Sequence, residues 1–225
     1  MSRARVVVRF ADVGAAVPTS GLSTTELARH DALVDAADRA AYAAAHLLLR
    51  DVVGELVGVA AHEVALEQRC PTCGGPHGRP RVVGHPGVHA TLSHTRGAVA
   101  AVASSAPCGV DVERVRPGLT APPDVLTDAE AVWLGARPAS TSAADLARLW
   151  VRKEALVKAG VTDLDGVGSL DVLADDGPAT LAHGFELVTW EGGGAVGAAA
   201  LSPTRPASPR RRPRGRRTPR AAGRR

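Results

Sequence analysis

The sequence predicts an α+β protein built of two similar halves, and three observations carry that prediction. The order strand, helices, strands occurs over residues 1–108 and again over 109–201, without any direct sequence repeat. Short β-branched or alternating runs stand apart from long Ala- and Leu-rich runs that have helix start and stop signals. The chain has 225 residues, 45% of them hydrophobic and 22% charged, enough to bury a core without disulfide staples.

The elements follow in order. Arg5 to Phe10 (RVVVRF) reads as a strand. Ser23-Thr24-Thr25-Glu26 has the spacing of a capping box and opens a helix over about 24–32. A second helix is expected from about Asp35 to Val53, with Arg39 and Arg50 reaching its polar side. Arg69 to Gly87 holds five Gly and four Pro and reads as loop. Val88–Leu92 and Ala98–Ala103 suit two strands joined through SHTRG, and Gly109–Glu113 is a third with strict alternation. Pro117 to Pro123 is a linker. Thr127–Glu130 repeats the capping-box spacing and opens a helix to about Leu134. Ser142 to Ala159 is a helix that Gly160 ends. Strands are expected near 168–174, 185–191 and 195–201.

The net charge of +4 is misleading. Ten Arg lie between Arg205 and Arg225 with no acid among them; the remaining 17 bases face 23 acids, a net of −6. The basic character belongs to a Pro/Arg-rich tail, 202–225, that cannot bury a core and is expected to be disordered. It reads as a solvated appendage in preference to an RNA or membrane-surface contact. No apolar run reaches the length of a membrane span, and MSRARVVVRF has no h-region or cleavage site. Cys70, Cys73 and Cys108 make an odd three, which excludes a disulfide framework and favours a cytoplasmic location.

Several groups could carry chemistry. On a strand, Val110 and Val112 point to one face and Asp111 and Glu113 to the other, the two acidic Cα atoms about 6.6 Å apart. Carboxylates so placed repel unless a cation lies between them, and hard oxygen ligands suit Mg²⁺. The solvent-facing edge of an amphipathic strand gives the same pattern. Glu154 and Lys158 share a helix face, with about 6 Å between Cβ atoms. They read either as a salt bridge or as a carboxylate for a metal or proton beside a cation for phosphate. The chain has only two Lys, Lys153 and Lys158, so a Lys where Arg is the habit stands out. Ser93 and His94 are adjacent and point to opposite faces, which argues against a nucleophile–base pair. With Arg96 they suit contact with a phosphorylated ligand. Gly78-Arg79-Pro80 is a rigid turn holding a cation. Cys70 and Cys73 supply half a Zn²⁺ site, with His77, His85 and His89 nearby and the last two spaced H-x3-H.

In this order, GRP, LSHT, CGVDVE and WVRKEALVKAG resemble the Sfp-type 4′-phosphopantetheinyl transferase superfamily over about residues 25–200. The resemblance implies two pseudo-twofold-related halves with coenzyme A in the cleft between them. It implies transfer of phosphopantetheine from coenzyme A to a Ser of an apo acyl or peptidyl carrier protein, releasing 3′,5′-ADP. By motif position, Asp111, Glu113 and Glu154 would hold Mg²⁺, and Glu154 would also take the Ser proton. Lys158 would hold a pyrophosphate oxygen, Ser93 and His94 would contact phosphates, and Arg79 the 3′-phosphate end. Arg29 and Arg39 are further candidates for that end. Arg79 stands where the superfamily often has Lys, and Thr95 where it often has Ser. A cleft formed by one chain favours a monomer. The alternative reading is a zinc-loop nucleic-acid-binding protein using Cys70, Cys73 and the Arg tail; it leaves GVDVE and the two-lysine helix unexplained.

Overall fold

The computed structural model describes residues 3–203 apart from 71, 123, 175 and 176, so the expected tail beyond 203 lies outside the described residues. In chain order the elements are β1 (Val6–Asp12), α1 (Thr24–Ala32), α2 (Ala36–Val57), β2 (Leu66–Gln68), β3 (Pro80–Val82), β4 (His89–Thr95), β5 (Ala98–Ser104) and β6 (Cys108–Arg114). There follow α3 (Asp128–Gly135), α4 (Ala139–Ala159), β7 (Leu173–Ala174), β8 (Gly177–Pro178), β9 (Leu181–Ala182), β10 (Phe185–Gly192) and β11 (Ala195–Leu201). No described helix is long and apolar enough to cross a membrane.

Two antiparallel sheets organise the chain, β1-β5-β4 and β6-β11-β10-β9. Alternation along each strand gives each sheet two buried faces. Ala101 and Ala103 of β5 pack with Leu49, Val52, Val53 and Leu56 of α2. The other face of β5, Ala98, Ala100 and Val102, meets Cys108, Val110 and Val112 of β6 and Ala195 and Ala199 of β11. The outer face of β11, Val196, Ala198 and Ala200, packs with Ala147, Leu149, Ala155 and Leu156 of α4. The order of layers is therefore helix, sheet, sheet, helix. Small residues at the sheet–sheet contact let the layers approach closely.

Local chemistry explains most boundaries. Both capping boxes form: Ser23 with Glu26, and Thr127 with Glu130. Gly160 ends α4 in the left-handed region at φ 90°, as the sequence predicts. Three expectations need correction. Helix α2 runs four residues past Val53, to Val57 with Gly58 as its C-cap, because the buried stripe continues through Leu56. Its Arg50 is buried rather than on a polar side: it donates to Glu26 Oε2 at 2.7 Å and to the His46 carbonyl at 3.1 Å. The strand near 168–174 shrinks to β7, preceded by a 3-10 turn at Val167–Ser169, where local turns replace ladder hydrogen bonds.

Candidate functional site

The acidic face of β6 is not a solvent edge. Helix α4 lies on it, and Gly109 is the reason it can: a Cβ there would run into the Ala155 carbonyl and the backbone of Lys158 and Ala159. The close approach brings Glu154 and Lys158, in the last turns of α4, over Asp111 and Glu113. Lys158 Nζ donates to Asp111 Oδ1 at 2.6 Å. From the neighbouring β4, Ser93 Oγ donates to the same oxygen at 2.7 Å, and Thr91 Oγ1 accepts from the Val110 amide at 3.0 Å. Asp111 Oδ2 is buried and has no hydrogen-bond partner.

The electrostatics reflect this crowding. Burial first, then the Asp111 carboxylate, push Glu113 above the usual carboxylate range. Burial also raises Glu154, reinforced by Asp111 and Glu113 and opposed by Lys158. The three carboxylates thus feel one another, but their oxygens do not all gather within 4.8 Å; among the described residues only Cys70, Cys73 and His77 do so as a group. The donor chemistry and the orphaned Asp111 oxygen fit a hard divalent cation, and holding one with all three carboxylates requires the side chains to close in.

Two cavities flank the cluster. One, about 290 Å³, is lined by Gln68, Gly78, Arg79, Pro80, Thr91, Leu92, Val157 and Lys158. The other, about 220 Å³, includes Glu113, Arg116, Leu119, Leu146 and Trp150 in its wall. Arg79 anchors the β2–β3 hairpin to β6 by donating to the Cys108 carbonyl at 3.1 Å. The stretch read as loop therefore contains this short hairpin.

Ser93 and His94 lie on β4 rather than in the turn after it, and on opposite faces, as alternation requires. Ser93 faces Asp111. His94 is edge-on to Tyr42 on the α2 side, with ring centroids 5.9 Å apart. Desolvation by the atoms packed around it, then His46 and Lys158, lower its pKa, which favours the neutral ring. Arg96 is not free for a phosphate, since Nε and Nη2 donate to the two Asp38 oxygens at 2.7 and 2.9 Å. Arg39 is likewise committed, to the Leu33 and Val34 carbonyls. Arg29 donates to the Pro76 carbonyl at 2.6 Å, beside the hairpin tip.

The two lysines part company. Lys153 is wholly buried, 2.7 Å from Glu130 Oε2, and also donates to the Val167 and Leu170 carbonyls. Sequence reasoning missed Gly109, Thr91 and Gln68. Gln68 donates to the Gly78 carbonyl at 2.7 Å and lines the larger cavity. Gly109 carried a readable signal, a glycine within a strand pattern, which marks close backbone approach.

A helix-backed sheet presenting three carboxylates and a lysine between two cavities defines a class of site suited to polyanionic, phosphorylated ligands. Residues 107–194, from the start of β6 to the β10–β11 turn, match the family model ACPS, described as the 4′-phosphopantetheinyl transferase superfamily. No curated protein matches the chain. Residues 107–194, the span that holds GVDVE and WVRKEALVK, are thus similar to that superfamily.

Proposed function

We propose that the protein is a Mg²⁺-dependent 4′-phosphopantetheinyl transferase that converts an apo acyl or peptidyl carrier protein to its holo form. The observation that carries this reading is the environment of Asp111: one oxygen held by Lys158 and Ser93, the other buried and unpartnered, with the Glu154 carboxyl close enough to feel both Asp111 and Glu113. Asp111, Glu113 and Glu154 would hold Mg²⁺, which when bound supplies charge neutralisation for a pyrophosphate.

The chain's own residues account for the rest. Lys158 presents a compact cation that can exchange Asp111 for a pyrophosphate oxygen. Ser93 can donate its hydroxyl proton to the same group. Neutral His94 can donate one N–H without repelling the neighbouring lysine. Arg79, in the wall of the 290 Å³ cavity, suits the adenosine 3′-phosphate. The apolar wall of the second cavity, Leu119, Leu146 and Trp150, suits the pantetheine arm. In transfer, the carrier Ser oxygen forms a bond to the phosphorus that bears pantetheine. The bond from that phosphorus to the bridging oxygen breaks, 3′,5′-ADP leaves, and Glu154 takes the Ser proton directly or through water. Burial and the neighbouring carboxylates raise its pKa, which makes it a stronger base than an ordinary carboxylate.

The site draws on β4, β6 and α4 of one chain, so a monomer suffices, and the two sheet-and-helix layers are the units we take as the pseudo-twofold halves. The test is the intact mass of an apo carrier after incubation with the protein, coenzyme A and Mg²⁺, with and without EDTA. The expected result is the gain of one phosphopantetheine arm, prevented by EDTA. No gain across acyl and peptidyl carriers would overturn the proposal.

A further inference from the structure

The tip of the β2–β3 hairpin holds three ligand atoms for which transfer has no use. The sulfurs of Cys70 and Cys73 and a ring nitrogen of His77 lie within 4.8 Å of one another. Cys73 Sγ is 3.0 Å from His77 Nε2. The backbone wraps the sulfurs: the Gly75 amide points at Cys73 Sγ at 3.4 Å, the Gly74 amide donates to the Cys70 carbonyl at 2.9 Å, and the Cys70 amide donates to the Gly75 carbonyl at 2.9 Å. Gly74, at φ 71°, makes the turn that brings His77 back over the pair. The third cysteine, Cys108, is buried in the core and stands apart from this group. His85 and His89, spaced H-x3-H, do not join it either.

Soft thiolate and imidazole donors select zinc over the hard cation that suits the carboxylate cluster. Zn–S bonds of about 2.3 Å and Zn–N bonds of about 2.0–2.1 Å in a tetrahedron place ligand atoms roughly 3.5 Å apart, within the spread seen here. We propose that Cys70, Cys73 and His77 bind one Zn²⁺, with water as the fourth ligand, and that the ion rigidifies the hairpin tip carrying Arg79. Binding releases the two thiol protons to solvent and changes no oxidation state.

The position of the tip supports the second part. Hairpin loops usually have about 2–5 residues, whereas β2 ends at Gln68 and β3 begins at Pro80. So long a tip, flanked by three-residue strands, needs an internal clamp. Three side chains tie it to its surroundings: Arg29 to Pro76, Gln68 to Gly78, and Arg79 to Cys108. His77 immediately precedes Gly78, which at φ 98° sets the path into Arg79. A metal holding His77 would fix where Arg79 emerges. The link to coenzyme A rests on the transferase reading, but the metal site does not.

The experiment titrates the reduced full chain, with excess Mg²⁺ present to occupy the carboxylate cluster, with Zn²⁺ and, separately, with Co²⁺. We expect one equivalent of metal, a thiolate-to-cobalt charge-transfer band with strong tetrahedral ligand-field absorption, and slower amide exchange across 69–79 in the zinc form. Cys70→Ser with Cys73→Ser, and His77→Ala alone, should each weaken binding by at least about 10-fold, with far-UV circular dichroism unchanged. Absence of stoichiometric metal, octahedral cobalt without charge transfer, or undiminished binding in the double variant would overturn the site. The wild-type cobalt spectrum decides even if a variant fails to fold. Zinc bound with exchange unaltered would overturn the rigidifying role. Zinc bound without carrier modification would defeat the transferase reading alone; modification without zinc would defeat this inference alone.

Discussion

Lys153 and Lys158 should respond to the same substitution in opposite ways. In Lys153→Met the buried Glu130 carboxylate loses its counter-charge at 2.7 Å and keeps only the Thr127 and Val172 amides, at 2.9 and 3.1 Å. Both side chains of this pair have zero exposure. Breaking one partner of such a pair costs about 3–5 kcal/mol. At roughly 2–4 °C per kcal/mol for a chain of this size, the melting temperature should fall by on the order of 10 °C. Coenzyme A affinity and transfer rate, measured well below that temperature, should not change, because Lys153 lines neither cavity.

Lys158→Met should do the reverse. Lys158 is 28% exposed and its loss leaves Asp111 still bonded to Ser93, so stability should change by only about 1–2 kcal/mol. Transfer should fall by about 10²–10³-fold, the usual cost of removing one preorganised electrostatic contact to a transition state. Thermal and urea unfolding, with single-turnover transfer to an apo carrier, separate the two effects. The double variant Glu130→Gln/Lys153→Met should be less destabilised than the sum of its single variants. A Lys153→Met protein within about 1 kcal/mol of the parent, or with impaired coenzyme A binding and parental stability, would refute this division of labour.

Glu154→Gln should abolish transfer, by at least about 10²-fold as expected for loss of a general base. It should also raise the melting temperature at neutral pH in EDTA. A carboxylate whose folded pKa is raised destabilises the fold once pH exceeds the unfolded value, and the amide removes that burden; a lower melting temperature would contradict it. Asp111→Ala should lose activity or demand more Mg²⁺, read from a metal titration of the transfer rate. Gly109→Ala should cost about 1–3 kcal/mol or more, because its Cβ meets helix backbone rather than a movable side chain, and should depress transfer as α4 shifts; denaturant midpoints decide. Glu26 governs part of the acid limb. Burial would raise its pKa, but the Arg50 hydrogen bond and the Ser23 amide outweigh that and hold it below the ordinary 4.5. Its stabilisation is therefore full above about pH 4.5 and is lost as pH falls through the lowered value. Glu26→Gln should flatten that part of a stability–pH curve.

The fold was legible where local chemistry decides it. Capping boxes at Ser23 and Thr127 and the glycine stop at Gly160 mark helix ends because the groups that satisfy the orphan amides and carbonyls lie within a few residues. The helix α2 end and the short β7 were less legible, since the first depends on the apolar surface beneath Leu56 and the second on whether a partner strand is in reach. Arg50 shows the same limit. A helix pattern places it on a polar side, but only the fold brings Glu26 across to bury it.

The site divides along the same line. Alternation on β6 and the four-residue step in α4 correctly state which side chains share a face, but not what lies opposite. That Asp111 meets Lys158 follows from packing that Gly109 permits. The separate placements of the lysines, by contrast, were already encoded. At about 100° per residue, Glu154 and Lys158 are about 40° apart around the helix, while Lys153 and Lys158 are about 140° apart. Two lysines so placed cannot both point at one pyrophosphate. A lysine on the face that carries Leu149 and Leu156 must be buried, and a buried ammonium must have an acid to meet. The capping glutamate of the preceding helix, Glu130, is the acid in reach, and one carboxyl group thus serves both as a helix cap and as the counter-charge of the core lysine.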